Sequence, residues 1–194
     1  MSITPVSTPE FEFPLGIYEC VKLALMDDNN LEQFSLYAGL DHNMVADVRK
    51  CSLDAKDIEL SKTSDRERFG TGEYTKWYSK DRVPFALYHD PTQELAGLVW
   101  CGEKELPHPD RAPHVTKPWV TIAYRTYPNF RGRHLLIPFL LFALAEYRAQ
   151  LPCHFWAATT AANEASKVVA QRCGLVLDPL QSTEARLVFV ESVY

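Results

Sequence analysis

The segment TYPNFRGRHLLIPFLLFALAEY, residues 126–147, decides the fold, because it passes from an extended stretch through a turn into an apolar helix. Pro138 locates the start of that helix: proline lacks an amide N–H and clashes with the carbonyl four residues earlier, so a helix accepts it only in the first turn. We therefore expect the helix to begin close to His134 or Leu135. The amides of roughly Gly132 to Ile137 then lack intrahelical acceptors, and with the positive end of the helix dipole they form an anion site.

Two arginines flank the glycine of this turn. Arg131 and Arg133 place cations on either side of Gly132, and arginine binds phosphate through two-point hydrogen bonding. The same residues also fit a solvated basic turn in which Gly132 supplies only a positive φ. The turn by itself leaves both interpretations open.

The composition is that of one folded domain. The chain has 194 residues, of which 46% are hydrophobic and 12% aromatic. A net charge of -5 argues against a general nucleic-acid binder and is compatible with a cationic ligand such as an amine. The longest apolar run, Leu135 to Ala145, is far shorter than the roughly 18–20 residues that span a bilayer, so we expect no membrane segment.

The cysteine pattern predicts a cytoplasmic protein without a metal. The five cysteines are scattered, odd in number and without a C-x-x-C pair, as expected for reduced thiols. Cys101 with His108 and His114 fits no familiar zinc spacing. Residues 1–14 lack a cationic start and an apolar run, so we expect a flexible arm rather than a secretory signal, followed by one domain over 15–194.

Periodicity and turn residues predict a mixed α/β architecture. We expect a strand over Ile17–Asp27 and then a helix, capped by Asp28 or Asn29, that carries Leu31, Phe34, Leu36 and Tyr37, with a further apolar cluster at Met44, Val45 and Val48. The charged segment 53–82 is read as one or two outer helices with Trp77 and Tyr78 facing inward. A strand–turn–strand is expected from Val83, followed by a long loop over Glu105–Pro118 and a central strand Trp119–Tyr127. After the helix of the opening segment we expect a strand His154–Thr160, a helix Asn163–Gly174 and two final strands. This order predicts a mixed sheet with helices on both faces.

Two of these segments, taken together, resemble the GNAT superfamily of acyl-CoA-dependent N-acyltransferases. The loop signature R/Q-x-x-G-x-G/A falls on residues 131–136, where Arg131 matches and the two small residues are replaced by His134 and Leu136. The second signature, N-x-x-A-x-x-L-Y-x-K-x-G-F, falls on residues 163–175. Asn163, Val169, Arg172, Gly174 and Leu175 stand at its spacing, and Ser166 and Ala170 replace its alanine and tyrosine.

The resemblance implies a central mixed, splayed sheet of about seven strands flanked by about four helices. It also implies that acetyl-CoA lies where the strand Trp119–Tyr127 separates from His154–Thr160. The residues that it assigns to CoA are Tyr124, Thr126, Arg131, Gly132, Arg133, His134, Leu135, Leu136, Asn163 and Ser166. His134 is expected to keep ordinary backbone angles at the start of the helix.

The resemblance further implies direct attack of an amine on the thioester, which needs a base, an oxyanion donor and a departing thiolate. The family's usual acid is the tyrosine that Ala170 replaces, and no acidic residue occurs on Trp119–Tyr127. Glu103 is therefore the first candidate base, His114 the second, and Tyr124 an alternative acid. Each also has a plain structural reading, as a surface charge, an exposed loop residue and a core residue respectively.

Two functions follow from these assignments. The first is an N-acetyltransferase that uses acetyl-CoA and a primary amine of a small molecule or protein, with no metal and with a possible homodimer. Phe34, Tyr37, Trp77, Tyr78 and the Glu105–Pro118 loop would then wall the acceptor site. The alternative is a GNAT-fold module that binds CoA without catalysis, or that serves protein interaction.

Overall fold

The computed structural model describes residues 17–18, 34–54, 56 and 82–193. Three predictions fall wholly or mainly outside these residues. They concern the arm over 1–14, the strand Ile17–Asp27 beyond its first two residues, and the outer helices that carry Trp77 and Tyr78.

The described residues form one eight-stranded mixed sheet in the order β1-β2-β3-β4-β5-β6-β8-β7. The strands are β1 Ile17–Tyr18, β2 Phe34–Ala38, β3 Arg82–His89, β4 Glu94–Glu103, β5 Trp119–Thr126, β6 His154–Thr160, β7 Leu175–Leu177 and β8 Arg186–Glu191. Neighbouring strands are antiparallel except β5 and β6, which are parallel. The predicted central position of β5 is confirmed, since it lies between β4 and β6.

Three α-helices occur in the described residues: α1 His42–Leu53, α2 Leu136–Gln150 and α3 Glu164–Arg172. α2 begins within two residues of the start that Pro138 predicts, and Pro138 is its third residue. The caps predicted for α3 are confirmed, because the Asn163 side chain accepts a hydrogen bond from the Ser166 amide and Gly174 has φ +84°.

The helices cover both faces of the sheet, as predicted. On one face, α2 contributes Phe139, Leu140, Ala143, Leu144 and Tyr147 to the larger core cluster, at the three- and four-residue spacing of one helix face. α3 adds Ala170 to the same cluster. On the other face, Val48 of α1 packs in a smaller cluster. No helix within the described residues has the length and apolar character needed to cross a bilayer.

The prediction of a helix through Phe34, Leu36 and Tyr37 is wrong. Residues 34–38 form β2, which pairs with β3, and their burial alternates strictly along the strand. Phe34 and Leu36 face the larger cluster, whereas Tyr37 packs against the smaller one. This two-residue period is the signal of a strand, and the adjacent helix begins only at His42, after Asp41 caps it.

Candidate functional site

The parallel strands β5 and β6 separate along their length. Their registered pairs are Trp119–His154, Val120–Phe155 and Thr121–Trp156, and the pairing ends there although both strands continue. Beyond Thr121 the two strands diverge toward their carboxyl ends. The sheet therefore opens into a wedge at its centre.

Backbone groups of β5 face this wedge. The Tyr127 amide donates to the Ala96 carbonyl on β4, so by the alternation of an antiparallel pair the odd-numbered residues of β5 point their backbone groups toward β4. The even-numbered residues point the opposite way, as shown by the Pro118 carbonyl, which accepts from His154. The N–H and C=O of Tyr124 and the N–H of Thr126 consequently face the wedge, and the described residues give them no strand partner.

The wedge is the inner part of a cleft with a volume of about 1070 Å³. Its lining comes from the second half of β5, from residues 157–159 of β6, from the start of α2 with the loop before it, and from one side of α3. Trp100 of β4 also lines it. Because Trp100 and Ala123 belong to the α1 side of the sheet and Leu135 to the α2 side, the cleft reaches both faces.

The loop at the open end of the cleft is held at three points. Phe130 and Leu135, at its two ends, are buried in the larger core cluster. Between them, Nε of Arg131 donates to the Thr126 carbonyl at 3.0 Å, which ties the loop to the end of β5. Only Gly132 and His134 of this loop are exposed. The loop geometry is therefore fixed by the fold before any ligand arrives.

The expectation of ordinary backbone angles at His134 is wrong. His134 has φ +58° and lies in the left-handed region, which glycine adopts at little cost. Leu135, the next residue, is right-handed, with φ -70° and ψ -30°. A left-handed residue followed by a right-handed one turns successive amides toward a common point and forms an anion-binding nest. His134 thus keeps the conformation suited to the small residue of the signature.

The start of α2 adds further free donors to this nest. The amides of Leu136 and Ile137 find no acceptor within the described part of the chain, and the first intrahelical bond is from Phe139 to the Leu135 carbonyl. These amides also lie at the positive end of the helix dipole. The loop and the helix together present a preformed anion site at the mouth of the cleft.

The charge of the cleft opposes the charge of the chain. Arg125, Arg131 and Arg172 line it, and Glu164 is the one carboxylate among its described lining residues. Glu164 itself forms an ion pair with Lys167. A cationic cleft in a chain of net charge -5 favours an anionic ligand.

Tyr124 connects β5 to α3 across the cleft. Its hydroxyl donates to the Ser166 carbonyl at 2.9 Å. Burial raises the pKa of Tyr124 to about 12, so the hydroxyl stays protonated at neutral pH. The side chain therefore positions the first turns of α3 and keeps a proton inside the cleft.

The structure brings most of the predicted binding residues to the cleft. Lining residues that were predicted are Tyr124, Thr126, Arg131, Gly132, His134, Leu135, Leu136, Asn163 and Ser166. Arg133 is not among them; its guanidinium lies over the Phe130 ring, 5.3 Å from the ring centroid. The cleft also includes lining residues that the sequence did not single out, chiefly Trp100, Arg125 and the two small residues Ala157 and Ala158.

The two candidate bases lie away from the cleft. Glu103 is exposed at the far end of β4 and pairs with Val120, where β5 and β6 are still together. His114 is exposed on the long loop, which packs through Leu106, Ala112 and Val115 against the cluster around Trp119 and Trp156. Antiparallel pairing provides the signal that was missed: the beginning of β4, not its end, lies beside the open half of β5.

The expected acceptor wall is only partly described. Phe34 is wrong as a wall residue, since it is fully buried in the larger cluster, against His89 and Phe130. Tyr37 lies on the α1 face, where its ring meets Tyr88 edge-on. Trp77 and Tyr78 lie outside the described residues. No group of three or more metal-ligating side chains occurs within the described ranges.

Comparison with known proteins identifies the fold. No family model matches the chain, and no curated protein matches it. Among solved structures, an acetyltransferase from Agrobacterium tumefaciens str. C58 superposes with a TM-score of 0.56 at 16% identity, over 97% of this chain and 99% of the other. The GNAT domain of S. lividans PAT gives a TM-score of 0.58 at 15% identity over 81% and 90%. Mycobacterium smegmatis RimJ, solved in complex with CoA-disulfide, gives 0.59 at 16% identity over 83% and 82%.

These similarities establish the class of fold. The chain has the GNAT fold, a mixed and splayed sheet with helices on both faces, as its two signatures predict. The sheet has eight described strands instead of about seven, because the two residues of β1 add an edge strand. At 15–16% identity the likeness shows the fold and leaves the activity to be argued from the site.

The backbone angle of His134 gives a first prediction. His134→Gly relieves a left-handed non-glycine residue, so we expect the free energy of unfolding to rise by about 1 kcal/mol. His134→Val should lower it by about 1 kcal/mol, because a β-branched residue tolerates this region worst. Gly132→Ala, at φ +74°, is the matched control and should also destabilise. Urea unfolding measures all three, and equal stability of the Gly and Val variants would contradict the left-handed conformation.

The tyrosines give a second prediction. Burial raises the pKa of Tyr124 to about 12 and that of Tyr88 and Tyr147 further still, so at least three of the nine tyrosines should remain protonated at pH 10.5. Because the folded pKa lies above the unfolded value, this stabilisation is complete below about pH 10 and is lost as the pH rises toward 12. Absorbance at 295 nm counts tyrosinate, with the guanidinium-unfolded chain as reference. Complete ionisation at pH 10.5 with the far-UV signal intact would refute the prediction.

Proposed function

We propose that this chain is an N-acetyltransferase that moves an acetyl group from acetyl-CoA to a primary amine of a small molecule or protein. The reaction takes place in a ternary complex, by direct attack of the amine on the thioester carbonyl. The observation that carries the proposal is the open half of β5, whose unpaired backbone groups face a cleft that ends at a preformed anion nest.

The shape of acetyl-CoA matches this arrangement of donors. A diphosphate at the nest would take the amides of His134, Leu135 and Leu136. The pantetheine arm, which carries two amide groups, would then extend along β5 and complete the hydrogen bonds of the Tyr124 C=O and the Thr126 N–H as an added strand does. Asn163 and Ser166 of the α3 start lie along the same cleft.

The charges of the cleft support a polyanionic donor. Arg125, Arg131 and Arg172 line it, with Arg131 fixed against the Thr126 carbonyl at the base of the loop. Structural neighbours point the same way, since a RimL acetyltransferase and the M. smegmatis RimJ were both solved with CoA or a CoA disulfide. Neighbours named for amine acetylation include a spermidine N-acetyltransferase chimera, which motivates an amine acceptor here.

The arm would place the thioester at the narrow end of the wedge. Ile122, Ala123, Ala157 and Ala158 line this end together with Trp100, so the reacting carbonyl would lie among small or apolar side chains. The acceptor approaches from the α1 side, which the cleft reaches. Its nitrogen bonds to the carbonyl carbon, the Tyr124 N–H of β5 stabilises the oxyanion, and the C–S bond then breaks to release the CoA thiolate.

Tyr124 is the proposed acid for the departing thiolate. Its hydroxyl is protonated at neutral pH and lies at the cleft, where it donates to the Ser166 carbonyl. A thiol with a pKa near ~8.5 also leaves as thiolate without help, so the contribution of an acid is modest. Proton removal from the amine is assigned to water, because neither Glu103 nor His114 lines the cleft.

One observation favours the alternative of a CoA-binding module without catalysis. Glu164 is the one carboxylate among the described lining residues, and it is already paired with Lys167. A cleft with complete binding groups and no unpaired carboxylate among its described lining residues would bind CoA and turn over slowly. The two candidates share the binding step and differ only in the chemical step.

The binding step is tested by thermal unfolding with acetyl-CoA. At a ligand concentration 100-fold above Kd, mass action predicts about 2.7 kcal/mol of added stability. Gly132→Glu should abolish the shift, because its carboxylate would stand among the nest amides. Gly132→Ala is the matched control: an added Cβ meets no atom within 4 Å, so it shares the backbone strain and should retain binding. If millimolar acetyl-CoA does not shift the thermal unfolding of the unaltered chain, both the acetyltransferase and the CoA-binding module are contradicted.

The chemical step is tested by release of CoA thiol across a panel of primary amines. With an amine that is accepted, Tyr124→Phe should lower kcat by about tenfold and leave KM for acetyl-CoA within about twofold, if Tyr124 protonates the thiolate. Acetyl-CoA binding measured separately serves as the folding control for this variant. Binding without turnover for every amine would select the module, and an unchanged kcat would remove Tyr124 from the mechanism.

A further inference from the structure

We propose that the imidazole of His134 is itself a phosphate ligand, which in its protonated form contacts the diphosphate of the bound CoA. This inference rests on the proposed function, because it concerns how the same cleft holds its donor substrate. It makes the affinity for CoA depend on pH through one residue.

The position of the side chain is the first argument. His134 lines the mouth of the cleft, is exposed, and belongs to the nest whose amides face the same space. Its imidazole forms no hydrogen bond or ion pair within the described residues. An anion held at this mouth of the cleft would therefore meet an imidazole that has no competing partner among the described residues.

The neighbouring cations of the loop are differently engaged, which is the second argument. Arg131 directs Nε to the Thr126 carbonyl, and Arg133 lies over the Phe130 ring and does not line the cleft. Of the three basic side chains in the loop, His134 is the one placed on the cleft without such a contact. Without His134, the loop would offer a diphosphate its backbone amides and the Arg131 side chain.

Most of the charged groups around His134 are arginines, whose charge is fixed near neutral pH. Arg125 of β5 and Arg172 of α3 stay cationic, as do Arg131 and Arg133 within the loop, and Glu164 at the start of α3 is paired with Lys167. No other histidine lines the described cleft. Histidine gains its charge as the pH falls from 8 to 6, so this interaction should strengthen over that range.

The experiment measures the Kd of dephospho-CoA by calorimetry at pH 6.0, 7.0 and 8.0. This probe keeps the diphosphate but lacks the terminal phosphate monoester, whose own second ionisation occurs near pH ~6 and would confuse the result. CoA itself is measured in parallel. Comparing variants at each pH removes any change of the whole protein with pH.

The variants isolate the charge at position 134. His134→Gln is neutral and His134→Lys is cationic throughout the range, and both keep a non-glycine residue at the same backbone angle. We expect the Kd of the unaltered chain to fall about three- to tenfold from pH 8.0 to 6.0. The Gln variant should stay at the weak end, and the Lys variant at the tight end, with no more than about twofold change across the range.

The outcomes separate the inference from the proposed function. Dephospho-CoA binding with the same pH dependence in the unaltered chain and in His134→Gln would overturn the role of His134 and leave the CoA cleft intact. Failure of the unaltered chain to bind either CoA or dephospho-CoA at any pH would instead overturn the proposed function. Far-UV spectra at each pH confirm that the variants compared are folded.

Discussion

The separation of β5 from β6 is the constraint on which the rest of the site depends. A central strand of a sheet normally satisfies its backbone groups on both sides, yet after Thr121 β5 pairs with β4 and no longer with β6, while it remains between two layers of helices. Close packing supports this arrangement on the other edge of β5. At Gly97 of β4 the space for a side chain is tight, because an added Cβ would lie 3.2 Å from the Arg125 carbonyl oxygen and 3.3 Å from the Phe139 ring. α2 can therefore sit directly on β4 and β5 and hold its own start at the mouth of the wedge.

The loop between β5 and α2 converts this opening into an anion site. Its two buried ends fix where the chain must leave the sheet and where the helix must begin, and Pro138 prevents the helix from extending backward. The intervening residues have little choice of path, and His134 takes a left-handed conformation as a result. Burial of Phe130 and Leu135 offsets the cost of this backbone angle, so the strain is maintained by the core.

The same geometry separates binding from chemistry. Backbone amides, which every residue except proline supplies, provide most of the proposed contacts to the donor substrate. Side chains that would move a proton are scarce, and Tyr124 combines a structural contact to α3 with the proposed role of acid. A GNAT fold with altered loop residues can thus keep a complete donor site, because that site depends on φ and ψ more than on side-chain identity.

The sequence by itself determined the elements and their order from β3 onward, and it located the start of α2 and both ends of α3. It could do so because prolines, glycines and caps act through local sterics and local hydrogen bonds. It assigned residues 34–38 to a helix although they form a strand, because the two-residue period of burial covers only five residues and the apolar residues around them also fit a helical spacing. It also chose Glu103 and His114 as bases, since distance along the chain does not reveal which end of an antiparallel strand meets the open half of its neighbour. Only the tertiary structure decided that β5 separates from β6 after Thr121, that Trp100 and Arg125 reach the cleft, and that His134 is left-handed, because each depends on how separate elements pack.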